Sequence, residues 1–167
     1  DMRYCLDLFE SAGRLLKIEK QVDAEFEITA LMNAAEKQGK AILFNNVKNS
    51  DFPVAANLFA AREMFAILFE TTPECVVNQW IDRTKNFIEP ALIDSGPVKE
   101  VVITGQEVNL EELPLVTHCE KDAGPYITAG TVIVKNPETG IRNVSINRMQ
   151  FKGKNKLGIR MMPPQHL

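Results

Sequence analysis

The hydrophobic pattern changes period at Asp94-Ser95-Gly96-Pro97, and this change limits the fold more than any other feature of the 167 residues. Before it, apolar residues recur at helical spacing. Tyr4, Leu8 and Ala12 share a side with Cys5 and Phe9, and Gly13 follows as a stop, so a helix is expected over 1–12. Leu15-Leu16-Lys17-Ile18 reads as a strand. A second helix is expected from about Glu25 to Gln38, with Asp23 as N-cap and Gly39 as C-cap, and with Ile28, Leu31, Met32 and Ala35 as its apolar stripe. Ala41 to Phe44 is a short buried strand, followed by a turn-rich stretch over 45–51. Pro53 to Phe59 reads as a strand, and Ala60 to Glu70 and Pro73 to Lys85 as helices, the latter capped by Thr72. Helices alternating with strands imply an α/β layer.

After the change, Val98 to Thr104 alternates as a strand and Leu110 to Leu113 reads as one helical turn. Ile127 to Val134 and Ile141 to Phe151 are expected strands, joined by the turn chemistry of Asn136-Pro137-Glu138-Thr139-Gly140. Both alternate faces of Ile127 to Val134 are small or apolar, which predicts a strand covered on both sides, as inside a barrel. A boundary is therefore expected near residues 92 to 97, with a mostly antiparallel β domain after it.

The charge pattern excludes one class of partner. With 25% charged residues, a formal charge of −3 and no block of like charge, the chain has no electrostatic footprint for nucleic acid. Its apolar runs fall far short of the roughly 20 residues of a membrane helix. Cys5, Cys75 and Cys119 are odd in number and form no CxxC pair, which favours a reducing cytoplasm. The chain carries no GxGxxG, GxxxxGK[ST], HExxH or GxSxG motif. Asp at position 1 before Met2, and Leu167 directly after Pro163-Pro164-Gln165-His166, lead us to expect a fragment.

Asn143-Val144-Ser145-Ile146-Asn147-Arg148 is the most informative segment for chemistry. In a strand, Val144, Ile146 and Arg148 share one face and Asn143, Ser145 and Asn147 the other. An arginine buried beside two β-branched residues needs an anion, because an unpaired buried charge costs several kcal/mol. The opposite face offers amide and hydroxyl oxygens suited to a hard cation or a hydrogen-bonded ligand. Alternatively, Arg148 reaches past the strand end to solvent and the asparagines lie on a wet sheet face. His166, beside two prolines, is a loop residue or a metal ligand. His118, next to Cys119 without a second cluster, reads as structural. Gly124-Pro125 forces a turn, and Gly130 inside a strand permits a close approach by backbone or ligand.

Taken in order, Asp122-Ala123-Gly124-Pro125-Tyr126-Ile127-Thr128, Asn136-Pro137-Glu138-Thr139-Gly140, Asn143 to Gln150 and Gln165-His166 resemble the UbiD family of reversible decarboxylases. Weaker echoes at Ile42 to Val47 and Asn57-Leu58-Phe59 extend the resemblance over nearly the whole chain. It implies an α+β fold, with an N-terminal α/β domain over 1–95 and, over 96–167, the beginning of a split β-barrel that binds prenylated flavin mononucleotide (prenylated FMN).

By the same resemblance, Asn143 and His166 hold a divalent metal, typically manganese, that binds the cofactor phosphate, and potassium is a further cation. Val144, Ser145, Ile146, Asn147, Arg148 and Gln165 are the implied cofactor contacts. Arg148 is the implied catalytic residue, near the reacting centre and paired with a glutamate. The implied activity is non-oxidative decarboxylation, or its reverse, of an aromatic, heteroaromatic or α,β-unsaturated carboxylic acid. A flavin prenyltransferase would supply the cofactor, and the full-length protein would form a homo-oligomer.

The third metal ligand and the proton-moving acids of that family have no counterpart in these residues, so the fragment alone is expected to be inactive. Parity adds a difficulty. Asn143 and Arg148 point to opposite faces, so one cofactor touches both only if it wraps the strand end or a bulge intervenes. Two other readings stay open: an FMN split-barrel oxidoreductase, and a binding or assembly module without catalysis.

Overall fold

The computed structural model describes residues 1–86 and 88–161. Helix α1 (Met2–Ser11) opens the chain, with the Asp1 carboxylate accepting from the Tyr4 N–H at 3.0 Å as its cap. Strand β1 (Leu15–Ile18) follows, then α2 (Glu27–Glu36), β2 (Ala41–Phe44) and β3 (Val54–Ala56). β2 is central, parallel to β1 and antiparallel to β3. Its side chains alternate between two apolar clusters. Ile42 and Phe44 pack with Ile28, Ala35 and Val47 on the α2 side, whereas Ala41 packs with Phe9 and Met64 on the side of α1 and α3 (Arg62–Phe69). A helix stripe covers each face of this small sheet, the layered arrangement that the alternating pattern predicts.

Several boundaries differ from the sequence expectation, each for a local reason. Asp23 does not cap α2. Its carboxylate accepts from the Glu25 N–H at 3.0 Å, while Glu27 accepts from the Asp23 N–H at 2.7 Å, which builds a separate turn. The helix starts after Phe26, whose φ of 67° breaks the helical path. β3 is shorter than Pro53 to Phe59 because Asn57 turns left-handed at φ 59°, and its side chain donates to the Met32 carbonyl at 2.7 Å. Thr72 precedes a 3-10 turn at Pro73–Cys75 and then α4 (Val76–Thr84), without a side-chain capping bond.

The larger correction concerns Val98 to Thr104, which is not a strand. Pro97–Lys99 forms a 3-10 turn, and Val98, Val101 and Val102 are exposed. Alternation makes a strand only where a neighbouring strand accepts its hydrogen bonds, and no described strand pairs with this segment. Leu110–Glu112 is the expected helical turn, in 3-10 form.

The second sheet is open and three-stranded: β4 (Tyr126–Lys135), β5 (Arg142–Gly153) and β6 (Lys156–Ile159), each antiparallel to the next. It does not close into a barrel among the described residues. β4 is not covered on both sides either, since Gly130 alone in it is buried. Residues 116–117 tie this sheet to the first unit. Thr117 donates to the Ala24 carbonyl at 3.2 Å and accepts from the Phe26 N–H at 3.1 Å, while the Val116 carbonyl accepts from the Tyr126 N–H at 3.1 Å. Val116 itself lies in the α2-side core. Among the described residues, no helix is long and apolar enough to cross a membrane.

Two outcomes follow from this packing. Phe44→Ala removes a fully buried ring and is expected to destabilise the protein by about 3–5 kcal/mol; urea unfolding would measure it, and a loss below about 1 kcal/mol would contradict the assigned core. The Lys48 ammonium, 2.8 Å from Asp23, holds the Asp23 carboxyl below its usual range. Its contribution is therefore present above the ordinary aspartate pKa and is lost as pH falls through the lowered value. Asp23→Asn should flatten the acid limb of a pH–stability profile and leave the neutral region little changed.

Candidate functional site

The hairpin of β4 and β5 carries the candidate residues. Its loop is set by Asn136, whose side-chain oxygen accepts from the Glu138 and Thr139 N–H groups at 2.8 and 2.9 Å, and Gly140 supplies a φ of 72°. From there β5 runs in unbroken register with β4, pairing Arg142 with Lys135, Asn143 with Val134, Val144 with Ile133, Ser145 with Val132, Ile146 with Thr131 and Asn147 with Gly130. The expected parity holds. Asn143, Ser145 and Asn147 lie half-buried on one face, and Val144, Ile146 and Arg148 are exposed on the other.

At Arg148 the ladder breaks. β4 advances three residues, from Ile127 to Gly130, while β5 advances two, from Met149 to Asn147. This is a bulge on β4 facing Arg148, not the bulge in β5 that would bring Asn143 and Arg148 to one face. It leaves β5 regular, and Asn143 and Arg148 remain on opposite faces. Gly130 closes the bulge. A Cβ there would lie 2.9 Å from the Asn147 carbonyl oxygen and collide with the Met149 side chain, so the close approach read from the sequence is made by β5 itself.

Arg148 is not a buried charge. Its guanidinium lies over the Tyr126 ring, 5.3 Å from the centroid, and no carboxylate forms a salt bridge with it among the described residues. No glutamate among the described residues pairs with it. The sequence reading missed both this ring contact and β6. The only sequence trace of β6 is the turn Gly153-Lys154-Asn155 before four residues with two apolar side chains.

On the other side, the Asn147 amide donates to the Ser145 hydroxyl at 2.7 Å. Asn143 lines a groove of about 680 Å³ with Lys135, Asn136, Thr139 and Arg142. The Asn143 amide oxygen can serve as one ligand of a hard cation, while Lys135 and Arg142, ladder partners on the other face at the same hairpin end, suit a phosphate. Gln165 and His166 lie outside the described residues, and no group of three His, Cys, Asp or Glu converges as a metal site among those described. Asp122 accepts from the His118 and Cys119 N–H groups at 3.2 and 3.0 Å, which fits a structural turn at His118.

Comparison with known proteins adds to this geometry. Residues 6–84 match the 3-octaprenyl-4-hydroxybenzoate carboxy-lyase N-terminal domain, and residues 91–167 match the Rift-related domain of the same carboxy-lyases. An uncharacterized protein in the cooM 5′ region of Rhodospirillum rubrum is 36% identical over 172 residues, covering 100% of this chain and 36% of that protein. Anhydromevalonate phosphate decarboxylase of Methanothermobacter thermautotrophicus is 32% identical over 152 residues, 91% of this chain and 34% of that one. The UbiD-class enzyme HmfF from Pelotomaculum thermopropionicum, solved in complex with FMN, superposes with a TM-score of 0.89 at 38% identity, over 97% of this chain and 37% of that one. An evolved dimeric form of HmfF, in complex with prFMN, matches with the same score and identity. The chain thus spans little more than a third of the length of these proteins.

Gly130→Val is expected to destabilise the hairpin by about 1–3 kcal/mol through overpacking against β5. Hydrogen exchange should then show faster exchange of the β4 and β5 amides, with the amides of β1 and β2 unchanged.

Proposed function

Since the chain belongs to the UbiD family, we propose that it forms the metal- and cofactor-holding part of a decarboxylase that uses prenylated FMN. The substrate class is an aromatic, heteroaromatic or α,β-unsaturated carboxylic acid, in either direction of the reaction. The observation that carries this reading is the division of labour along β5. Asn143 lines a groove at the hairpin end of the strand, and Arg148 stands exposed on the opposite face from Asn143 farther along it. The FMN and prFMN complexes of HmfF support the choice of cofactor.

In this reading Asn143 and His166 hold a divalent cation, manganese by preference, against the cofactor phosphate. Val144 to Arg148, with Gln165, line the cofactor. Val144 and Ile146, 63% and 76% exposed, offer apolar surface to a flat ring system. When bound, the prenylated flavin supplies the electron sink that decarboxylation requires. Arg148 presents a planar fork of N–H donors that matches a carboxylate and orients it. A flavin prenyltransferase supplies the cofactor, potassium is a further cation, and the full-length protein works as a cytoplasmic homo-oligomer.

Expression of the full-length protein with a flavin prenyltransferase tests the reading. Mass spectrometry should find prenylated FMN, and elemental analysis a bound divalent metal. Asn143→Ala should lower the metal content by at least about tenfold at limiting metal. Unmodified FMN together with nicotinamide oxidation would replace this reading with a flavin oxidoreductase. Full metal and cofactor content in the Asn143→Ala protein would remove Asn143 from the site.

A further inference from the structure

The Tyr126 ring beneath Arg148 is half-buried and stands on a hydrogen-bonded stretch of backbone. Tyr126 opposes Gln150 in the ladder, so Tyr126 and Arg148 are diagonal neighbours on one sheet face. The β4 bulge leaves no in-register residue opposite Arg148, and the guanidinium settles 5.3 Å from the ring centroid. Three bonds fix the platform. The Tyr126 N–H donates to the Val116 carbonyl at 3.1 Å, the Phe151 N–H donates to the Pro125 carbonyl at 3.0 Å, and the Gln150 amide donates to the Ala123 carbonyl at 2.7 Å. Through buried Val116 the same platform is attached to the core of the first unit.

We propose that Tyr126 is a positioning residue for Arg148. A guanidinium held over an aromatic ring is attracted through the ring's face without using its N–H donors, which stay available to a carboxylate. The ring thereby fixes the place of the charge while leaving its hydrogen-bonding capacity free. The role belongs to the ring face and not to the phenolic hydroxyl. It rests on the reading of Arg148 as the carboxylate-orienting group.

The test uses the full-length, cofactor-loaded protein as wild type, Tyr126→Phe, Tyr126→Leu and Arg148→Gln. Crystal structures report the Arg148 conformer, and calorimetric titration with benzoate, a probe carboxylate, reports affinity. The Phe variant should keep Arg148 over the ring and bind benzoate within about twofold of wild type. The Leu variant should release Arg148 and bind roughly threefold to tenfold more weakly. If the Leu variant fails to fold, Tyr126→Met takes its place. Arg148 unmoved in the Leu variant, or a Phe variant as weak as the Leu variant, overturns the role of Tyr126. Equal benzoate affinity in wild type and Arg148→Gln overturns instead the reading of Arg148, while the crystallographic arm still decides whether Tyr126 places it.

Discussion

The backbone ladder between β4 and β5 is the constraint on which the candidate site depends. Its regular stretch from Lys135–Arg142 to Gly130–Asn147 fixes which side chains face the groove and which face out. Its one irregularity, opposite Arg148, decides what that arginine can touch. A one-residue slip would exchange the two faces entirely. The bulge and Gly130 work against such a slip, because only a residue without a Cβ fits against the Asn147 carbonyl and Met149 at that point. The same glycine therefore serves register and site together.

The attachment of this hairpin to the α/β unit rests on backbone bonds and on the buried Val116 side chain. Residues 116–117 pair with residues 24–26 on one side and with Tyr126 on the other. Further bonds run from the Ser50 hydroxyl to the Glu112 carbonyl at 2.7 Å and from the Leu110 N–H to the Lys154 carbonyl at 2.7 Å. The left-handed Phe26 belongs to this seam, since its N–H donates to the Thr117 carbonyl and α2 begins two residues later than expected. The shortened start of α2 thus frees a donor for the connection between the units.

What the sequence made legible was periodicity. β1 and β2 fall at the expected residues because their apolar runs are bounded by polar ones and by Gly13 and Gly39. The parity of Asn143 to Arg148 also held, because β5 is regular there. Pairing was what it concealed. Val98 to Thr104 alternates without a described partner, and the contact of Arg148 with Tyr126 depends on cross-strand register and a bulge that one strand alone cannot reveal. Of the two readings of Arg148, the exposed one holds among the described residues, and its guanidinium lies over the Tyr126 ring.

The central claim is that the Asn143 amide oxygen and the His166 imidazole share one cation that neutralises a flavin phosphate. Anomalous diffraction at the manganese edge, on crystals of the full-length protein loaded with cofactor and manganese, tests it most directly. The account predicts a single anomalous peak within about 2.1–2.4 Å of both side chains and beside the phosphate. A peak bound elsewhere, with Asn143 and His166 ordered and apart, would contradict it.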